Sequence, residues 1–267
     1  MIPNVLSIAG SDPSGGAGIQ ADVKSISANG GYAMAAITAL TVQNTRGVRR
    51  VELIDPELVA DQITAVFDDI RVDAVKIGML GTDAIARAVA DVLRGRDVLI
   101  VLDPVMVAKG GDRLLGAEAV AALRETLLPL CTVITPNLPE AADLLGEAEA
   151  TDRDGMEAQG ARLLALGPKA VLLKGGHLQG PDSPDLFASR DGFSWIEGTR
   201  VATRNTHGTG CTLSSALATW LARLGDPFAA SVAAKTYTAR AIAGAEALTV
   251  GHGHGPIDHF PMLRTKE

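Results

Sequence analysis

Short apolar segments alternate with longer segments of helical periodicity along most of this 267-residue sequence. The apolar segments show little polar alternation, as expected for strands that are covered on both faces. Strands that alternate with helices in this way are typical of a mostly parallel sheet. The segments predicted to be central strands are Val5–Ala9, Ala35–Leu40, Ala74–Ile77, Val98–Leu102, Val133–Ile134 and Ala170–Leu173. We therefore predict a single doubly wound α/β domain over residues 1–267, with helices on both faces of the sheet.

Residues with strong capping preferences mark several helix boundaries. Asp55 and Pro56 precede apolar residues at helical spacing, which predicts a helix whose first residue is Pro56. The tripeptide Gly225-Asp226-Pro227 supplies a helix-ending glycine, a capping carboxylate and a proline start, and so predicts a pair of alanine-rich helices. The segment Gln179–Glu197 places two short apolar runs among Gly, Pro, Ser and Asp, which is typical of a hairpin at a sheet edge.

Composition restricts the partners and the location of the protein. The net charge of -7, without a cluster of Lys or Arg, disfavours nucleic acid as a partner because phosphates would be repelled. Cys131 and Cys211 form no C-x-x-C pair, so neither a disulfide framework nor a thiolate zinc site is indicated. The sequence shows no secretion signal and no apolar stretch long enough to span a membrane. We expect a cytoplasmic protein with a small-molecule partner, no nucleic acid and no membrane.

The strongest local signal for chemistry is the glycine-rich segment 205–212, NTHGTGCT, which precedes an alanine-rich helix running to about Leu224. The unpaired N–H groups and the positive dipole end of a helix start suit the charge on a transferring phosphoryl group. In this field the Cys211 thiol is expected to have a lowered pKa, so that its thiolate can accept the proton of an attacking hydroxyl. From the residues alone, a buried cysteine that packs as a small apolar residue is an equal alternative.

A second signal is the pair Asn137 and Glu140, three residues apart at the start of a predicted short helix. Mg²⁺ takes oxygen ligands and keeps several waters, so one carboxylate acting partly through water is sufficient beside nucleotide phosphates. The alternative is a capping box, in which the two side chains satisfy the helix start itself. Taken alone, these two residues favour the capping box.

Gln43 follows a predicted strand and carries one acceptor and two donors on a planar amide. This set matches the edge of an aminopyrimidine, as a glutamine matches adenine. A surface glutamine is the favoured alternative for this residue alone.

Other motifs are less specific. Gly15-Gly16-Ala17-Gly18 allows the backbone to approach a phosphate or a flat ligand, but the sequence contains neither a Walker A loop nor a dinucleotide fingerprint. His252, His254 and His259 are interleaved with glycines near the end of the sequence. We interpret them as surface or interface residues and not as a zinc site.

Several segments together resemble the hydroxymethylpyrimidine/phosphomethylpyrimidine kinase family, and the resemblance spans nearly the whole sequence. They are Gly10–Asp12, Gly15–Asp22, Gln43–Gly47, Lys76–Met79, Thr135–Asn137, Lys174–His177, Gly208–Thr212 and Gly251–Pro256. The resemblance implies a ribokinase-like, three-layer α/β/α fold and a homodimer. It also implies an enzyme that uses ATP and Mg²⁺ to phosphorylate 4-amino-5-hydroxymethyl-2-methylpyrimidine, and then the monophosphate, for thiamine biosynthesis.

The resemblance also implies roles for individual residues. It makes Cys211 the base, with Gly208 and Gly210 framing an anion hole, and it makes Gln43 the residue that binds the pyrimidine. The residues implied to shape the pocket around the pyrimidine are Gly10, Ala17, Met79 and Val105. The residues implied to serve the nucleotide are Asn137, Glu140 and Lys174, of which Glu140 would act on the metal through water and Lys174 would contact phosphate.

Two other functions are compatible with the same fold. A pyridoxal or pyridoxine kinase would also place a hydroxymethyl group at this site, although Gln43 and Cys211 favour a pyrimidine. A pyrimidine-binding protein without catalysis would keep the pocket, but the glycine-rich turn with Cys211 and the pair Asn137 and Glu140 argue against it.

Overall fold

The computed structural model describes residues 1–106 and 116–263, and its strands form two sheets. The strands are β1 (Asn4–Ala9), β2 (Tyr32–Ile37), β3 (Ala39–Asn44), β4 (Gly47–Leu53), β5 (Ala74–Ile77), β6 (Leu99–Leu102), β7 (Val133–Ile134), β8 (Ala170–Lys174), β9 (Asp185–Ser189) and β10 (Gly192–Ile196). The larger sheet, in the described part of the chain, has the order β10-β9-β8-β7-β6-β5-β1-β2, and β3 pairs with β4 in a separate antiparallel sheet. Neighbours from β2 to β8 are parallel, whereas β9 runs antiparallel to β8 and β10. The predicted mostly parallel sheet is confirmed.

Helices cover both faces of the large sheet. They are α1 (Gly18–Ala28), α2 (Pro56–Asp69), α3 (Asp83–Leu93), α4 (Ala117–Ala122), α5 (Leu138–Leu145), α6 (Arg153–Leu164), α7 (Thr209–Leu224) and α8 (Pro227–Ala243). Successive strand residues point to opposite faces. Leu6 and Val75 therefore pack in the core that contains α2, α3, α5 and α6, while Val5 and Ala74 pack in the core that contains α1, α7 and α8. The predicted three-layer arrangement is confirmed. Among the described residues, no helix combines the length and the apolar character that crossing a membrane requires.

The local boundary signals in the sequence were reliable. The Asp55 side chain caps α2, which begins at Pro56 as predicted. Gly225 ends α7 with φ 68°, and the Asp226 side chain caps α8. The hairpin predicted within Gln179–Glu197 consists of β9 and β10 at the edge of the sheet.

One strand prediction was wrong, because Ala35–Leu40 is not a single central strand. β2 is the edge strand of the large sheet, and β3 begins in the small sheet after a bend at the buried Thr38. The Thr38 N–H donates to the carbonyl of Ala9, and its own carbonyl accepts from the N–H of Ile54. Its hydroxyl donates to the carbonyl of Met79. These partners are distant in sequence, so an apolar run gives no sign of the bend.

The parallel strands direct their carboxyl ends to one edge of the large sheet, which is where open α/β sheets bind ligands. A cavity of about 1160 Å³ lies there. Its walls include Gly10 after β1, Met79 after β5, Asp103 after β6, Asn137 after β7 and Gly176 after β8. The start of α7 forms part of the floor, and β3 of the small sheet contributes a wall.

Candidate active site

Every site residue predicted from the sequence lines this one cavity. They are Gly10, Ala17, Gln43, Met79, Val105, Asn137, Glu140, Lys174, Gly208, Gly210 and Cys211. The fold therefore brings together segments from both ends of the chain, and the cavity also exposes charged residues that the sequence did not single out.

The two glycine-rich segments pack against each other at the start of α7. Gly208 has φ 79°, and a β-carbon on it would overlap the carbonyl of Gly16. A β-carbon on Gly16 would in turn overlap the imidazole of His207. His207 Nε2 lies 2.7 Å from Asp12 Oδ2, and the same carboxylate accepts the N–H of Ala17 at 2.9 Å. Asp12 thus joins the two loops.

The pair of Asp12 and His207 was missed from the sequence. Burial raises the pKa of Asp12, but hydrogen bonds from His207 and Ser14 outweigh it and hold the pKa below its ordinary value. Asp12 is therefore a carboxylate at neutral pH. The two residues are 195 positions apart, and no local pattern relates them.

The start of α7 has the geometry that an anion site needs. Its cap residue is Gly208, and none of the described side chains caps it. The N–H groups of Gly210 and Cys211 belong to the first turn, where a helix offers no acceptors of its own. A β-carbon on Gly210 would lie 3.2 Å from Asp103 Oδ2 and 3.5 Å from Lys174 Nζ, so an ion pair stands beside the turn. The N–H groups and the dipole of the helix start are the features that favour a phosphoryl group.

Lys174 forms ion pairs within the cavity. Its Nζ lies 2.9 Å from Asp103 Oδ1 and 3.7 Å from Glu140 Oε2. Burial lowers the pKa of Lys174, but the neighbouring carboxylates raise it above its ordinary value, so the ammonium keeps its charge. Asp103 also accepts from the Thr135 hydroxyl at 3.2 Å. No role was predicted for Asp103 from the sequence. The predicted contact of Lys174 with phosphate stays a prediction.

Asn137 and Glu140 form the capping box that the sequence favoured as an alternative. The Asn137 side chain accepts from the Glu140 N–H, and the Glu140 carboxylate accepts from the Asn137 N–H, both at 2.8 Å. Burial raises the pKa of Glu140 to about 7, while the charge of Lys174 opposes that change. The carboxylate nevertheless lines the cavity, so capping α5 and facing a ligand are compatible.

The described residues contain no group of three or more His, Cys, Asp or Glu side chains arranged to hold a metal ion. Mg²⁺ at a nucleotide site needs only one or two carboxylates, because phosphates and waters supply its other oxygens. The carboxylate oxygens of Glu140 fit this role as one of the few protein ligands of the ion.

Gln43 does not follow a strand as predicted but lies within β3. β3 pairs with β4 across a register shift that skips Arg49 of β4, and Gln43 lies on the same face of β3 as Thr41, which also lines the cavity. Gln43 lines the cavity. Across the cavity wall, a β-carbon on Gly10 would lie 3.0 Å from Met79 Sδ, so the glycine leaves room for the methionine. The sequence signal at Gln43 was right about the cavity and wrong about the element.

The expected lowering of the Cys211 pKa was wrong. The thiol is partly open to the cavity, but its packed surroundings exclude water, and burial raises the pKa to about 11. The charge of Lys76 and a hydrogen bond from the Gly18 backbone lower the pKa, whereas Asp22 and Asp103 raise it. The field at the helix start does not compensate for lost hydration. At rest and neutral pH the group is a thiol.

A second buried cluster was also missed. The Lys76 and Asp22 side chains are fully buried, and Lys76 Nζ lies 2.8 and 2.9 Å from the two carboxylate oxygens. Hydroxyl groups of Ser7 and Ser215 donate to the same carboxylate. A lysine within a strand predicted to be buried on both faces was the signal that could have indicated such a pair.

The interpretation of the histidines was correct for two of the three. His252 and His254 are exposed, but His259 is buried. His259 Nε2 lies 3.1 Å from Thr212 Oγ1, and its carbonyl accepts from the Tyr237 hydroxyl. Burial lowers the pKa of His259 to about 4, so a neutral ring is held in the interior. His259 was predicted to be at the surface because its buried partners come from segments that are distant in sequence.

A mostly parallel α/β/α fold with a helix start and a lysine at the carboxyl edge defines a small-molecule kinase of the ribokinase-like class. Solved structures support this class. The ADP complex of Bacillus subtilis pyridoxal kinase has a TM-score of 0.89 and 35% identity, and covers 98% of this chain and 99% of that one. Phosphomethylpyrimidine kinase from Clostridium difficile 630 has a TM-score of 0.80 and 42% identity, and covers 90% and 99% respectively.

The chain belongs to the phosphomethylpyrimidine kinase family, whose sequence model matches residues 12–258. The hydroxymethylpyrimidine/phosphomethylpyrimidine kinase of Escherichia coli strain K12 is 52% identical over 258 residues, which cover 96% of this chain and 97% of that protein. The identity to this relative exceeds the 35% identity to the pyridoxal kinase. The family resemblance seen in the sequence is confirmed.

The contact between the glycine-rich loops predicts that Gly208→Ala lowers both the stability and the turnover of the protein. The positive φ costs a non-glycine residue about 1 kcal/mol, and the overlap with Gly16 adds to that cost. We expect the free energy of unfolding in urea to fall by more than about 1 kcal/mol and turnover to be lost. Gly225→Ala is the matched control, because its φ is 68° and no atom lies within 4 Å of the new carbon. Equal turnover in the two variants would contradict the close packing at Gly208.

The raised pKa of Glu140 predicts a pH-dependent stability. The pKa rises from its ordinary 4.5 to about 7 on folding, so the folded protein binds more protons than the unfolded chain between these values. Stability therefore falls as pH increases through that window. Glu140→Gln keeps the capping box but cannot ionise, and we expect unfolding measured from pH 5 to 8 to lose this component. The exposed Glu149→Gln should leave the slope unchanged, and an unchanged slope in both variants contradicts the assignment.

Proposed function

We propose that the chain phosphorylates 4-amino-5-hydroxymethyl-2-methylpyrimidine with ATP, first to the monophosphate and then to the diphosphate, in thiamine biosynthesis. The observation that carries this conclusion is a single cavity that joins a glycine-framed helix start, a thiol and the Gln43 amide in a member of this kinase family. The 52% identity to the Escherichia coli enzyme over nearly the full length of both chains supports the same reaction.

Gln43 recognises the pyrimidine in this proposal. Its carbonyl accepts from the exocyclic amine, and its amide nitrogen donates to a ring nitrogen. Gln43 lies on the face of β3 that lines the cavity. The walls around the ring are formed by Gly10, Ala17, Met79 and Val105.

The nucleotide phosphates face the start of α7. The ADP complex of the Bacillus subtilis relative supports ATP as the donor. Gly208 and Gly210 frame the backbone N–H groups that receive the transferring group, and Lys174 supplies positive charge next to Gly210. Asn137 and Glu140 line the same cavity. In this proposal they serve the nucleotide, and Glu140 would hold Mg²⁺ through water. The ion would neutralise charge on the phosphates.

The first transfer needs a base. The hydroxymethyl oxygen forms a bond to the γ-phosphorus while the bond from that phosphorus to the bridging oxygen breaks and ADP leaves. The hydroxyl proton passes to the thiolate of Cys211. With a pKa of about 11, roughly one thiol in ten thousand is ionised at pH 7, so this step is expected to accelerate as pH rises.

The second transfer has a different requirement. Its nucleophile is an oxygen of the phosphate monoester, whose second pKa is about 6, so this group is already ionised at neutral pH. No base is needed. Positioning and electrostatic stabilisation supply the catalysis for both transfers, and only the first depends on Cys211.

We therefore expect Cys211→Ala to affect the two steps unequally. The first transfer should slow by a factor of about 10²–10⁴, the usual contribution of a general base, and the second by only a few-fold. Each step can be measured separately by starting from the alcohol or from the monophosphate. Cys131→Ala, at a buried cysteine outside the cavity, is the control and should leave both rates close to wild type. Equal losses in both steps would refute the base assignment.

Gln43→Ala should weaken binding of the pyrimidine, because the paired hydrogen bonds of the amide are lost. The unpaired ring groups cost about 1–3 kcal/mol, which corresponds to an increase in KM of about 5- to 150-fold with a smaller change for ATP. Asn44→Ala is the matched control, since Asn44 is exposed and lies outside the cavity lining. An unchanged KM for the pyrimidine would remove Gln43 from recognition.

A pyridoxal kinase is the second candidate, because a solved pyridoxal kinase shares the fold at 35% identity. A phosphorus NMR time course with ATP, Mg²⁺ and the hydroxymethylpyrimidine, and with pyridoxal in a parallel tube, tests both. Monophosphate followed by diphosphate supports the pyrimidine kinase. Phosphate only on pyridoxal overturns it, and no ATP consumption with either acceptor would leave a non-catalytic binding protein.

We also propose that residues 1–267 act as one kinase domain in a cytoplasmic homodimer. The long match to relatives of similar length supports the single domain. The dimer and the location rest on the family resemblance and on the composition of the chain.

A further inference from the structure

We propose that Lys76, held by Asp22, is a positioning residue that keeps a positive charge against Cys211 and makes its sulfur a usable base. This inference rests on the proposed role of Cys211 in the first transfer. It concerns a buried ion pair that the reaction described above does not otherwise use.

The position of Lys76 is the first support. Lys76 lies in β5, its side chain is fully buried, and it borders the same cavity as Cys211. A β-carbon on Gly78 would lie 2.7 Å from Lys76 Nζ, so the glycine leaves space for the ammonium at the end of the strand. Asp22 holds that ammonium through both of its carboxylate oxygens.

The surroundings of Asp22 are the second support. Ser7 in β1 donates to Oδ2 at 2.6 Å, and Ser215 in α7 donates to Oδ1 at 2.8 Å. Ser215 is four residues after Cys211, so the two side chains share one face of α7. The network therefore fixes the face that carries the thiol against the strand that carries Lys76.

The energetics favour a role beyond stability. Desolvation makes a buried ion pair a weak contributor to stability, and apolar replacements are often neutral or stabilising. Fully burying Lys76 and Asp22 therefore needs another explanation. A cation beside the sulfur supplies one, because the charge of Lys76 stabilises the thiolate form of Cys211.

Several charged groups face the thiol from the neighbouring elements. They are Lys76 in β5, Asp22 in α1, Asp103 after β6 and Lys174 in β8. The pair of His207 and Asp12 lies in the two glycine-rich loops nearby. Burial raises the pKa of Cys211, and among the charges Lys76 has the largest opposing effect. Burial likewise lowers the pKa of Lys76, but Asp22 and the charge on Cys211 raise it, so the lysine keeps its proton throughout.

The test is the pH dependence of Cys211 alkylation by iodoacetamide in the ligand-free protein, with peptide mapping to separate Cys211 from Cys131. In Lys76→Met we expect the alkylation midpoint to move up by at least about one pH unit, with a roughly tenfold slower reaction at pH 8. The first transfer should slow by at least about tenfold, and the second by less than about threefold. A merely structural role would slow both steps alike.

Lys76→Met leaves Asp22 as a buried unpaired charge and is liable to unfold. The double variant Asp22→Asn with Lys76→Met removes both charges and keeps an acceptor for the serine hydroxyls. In this double variant the alkylation midpoint of Cys211 should also move up, but by less, because the effect of Lys76 on the thiol exceeds that of Asp22. Lys235→Met is the matched control, because Lys235 pairs with Asp185 at 2.9 Å in the same cavity and is absent from the groups that influence Cys211.

An alkylation profile that is unchanged in a folded variant would overturn the role of Lys76. The role of Lys76 would also be overturned if Lys235→Met moved the alkylation midpoint of Cys211 as far as Lys76→Met does. The role of Cys211 as the base is judged separately: if Cys211→Ala keeps the first transfer, the base assignment fails, while the alkylation data still report on Lys76.

Discussion

The hydrogen bond between Asp12 and His207 is the interaction on which the site depends. It joins two glycine-rich loops that are 195 residues apart and so holds the start of α7 against the end of β1. The carboxylate keeps its charge because the hydrogen bonds from the loops outweigh burial. Glycines are required at Gly16 and Gly208 because the two backbones are closer than any β-carbon allows. The geometry of the proposed anion site therefore depends on the assembled sheet and not on a local motif.

Two physical effects compete at Cys211, and their magnitudes decide the outcome. A charge at a helix end gains about 0.3–1 kcal/mol at the surface, whereas removing hydration from a buried anion costs several times more. Burial consequently dominates, and the pKa of the thiol rises to about 11. The thiol form is unreactive towards electrophiles. In the proposed mechanism, the thiolate that acts as the base is therefore present only in small amounts, and the resting thiol is less prone to oxidation.

Local features of the fold were predictable, and long-range contacts were not. The caps at Asp55 and Asp226 and the strands of the large sheet depend on neighbouring residues, so the pattern in the sequence located them. The bend at Thr38 and the interior position of His259 depend on partners from distant segments. The site residues were found through motifs, but the acidity of Cys211 depends on how many atoms exclude water around it. Such packing is set by the whole fold.

The small sheet of β3 and β4 has no strand pairing with the large sheet in the described part of the chain. It carries Gln43, while the helix start, Cys211 and the ion pairs belong to the large sheet and its helices. If Gln43 binds the pyrimidine as proposed, substitutions in the small sheet would change which ring is accepted, while the residues proposed for phosphoryl transfer lie on other elements. For evolution, such a division of roles would let substrate selectivity change through one element while phosphoryl transfer is preserved on the others.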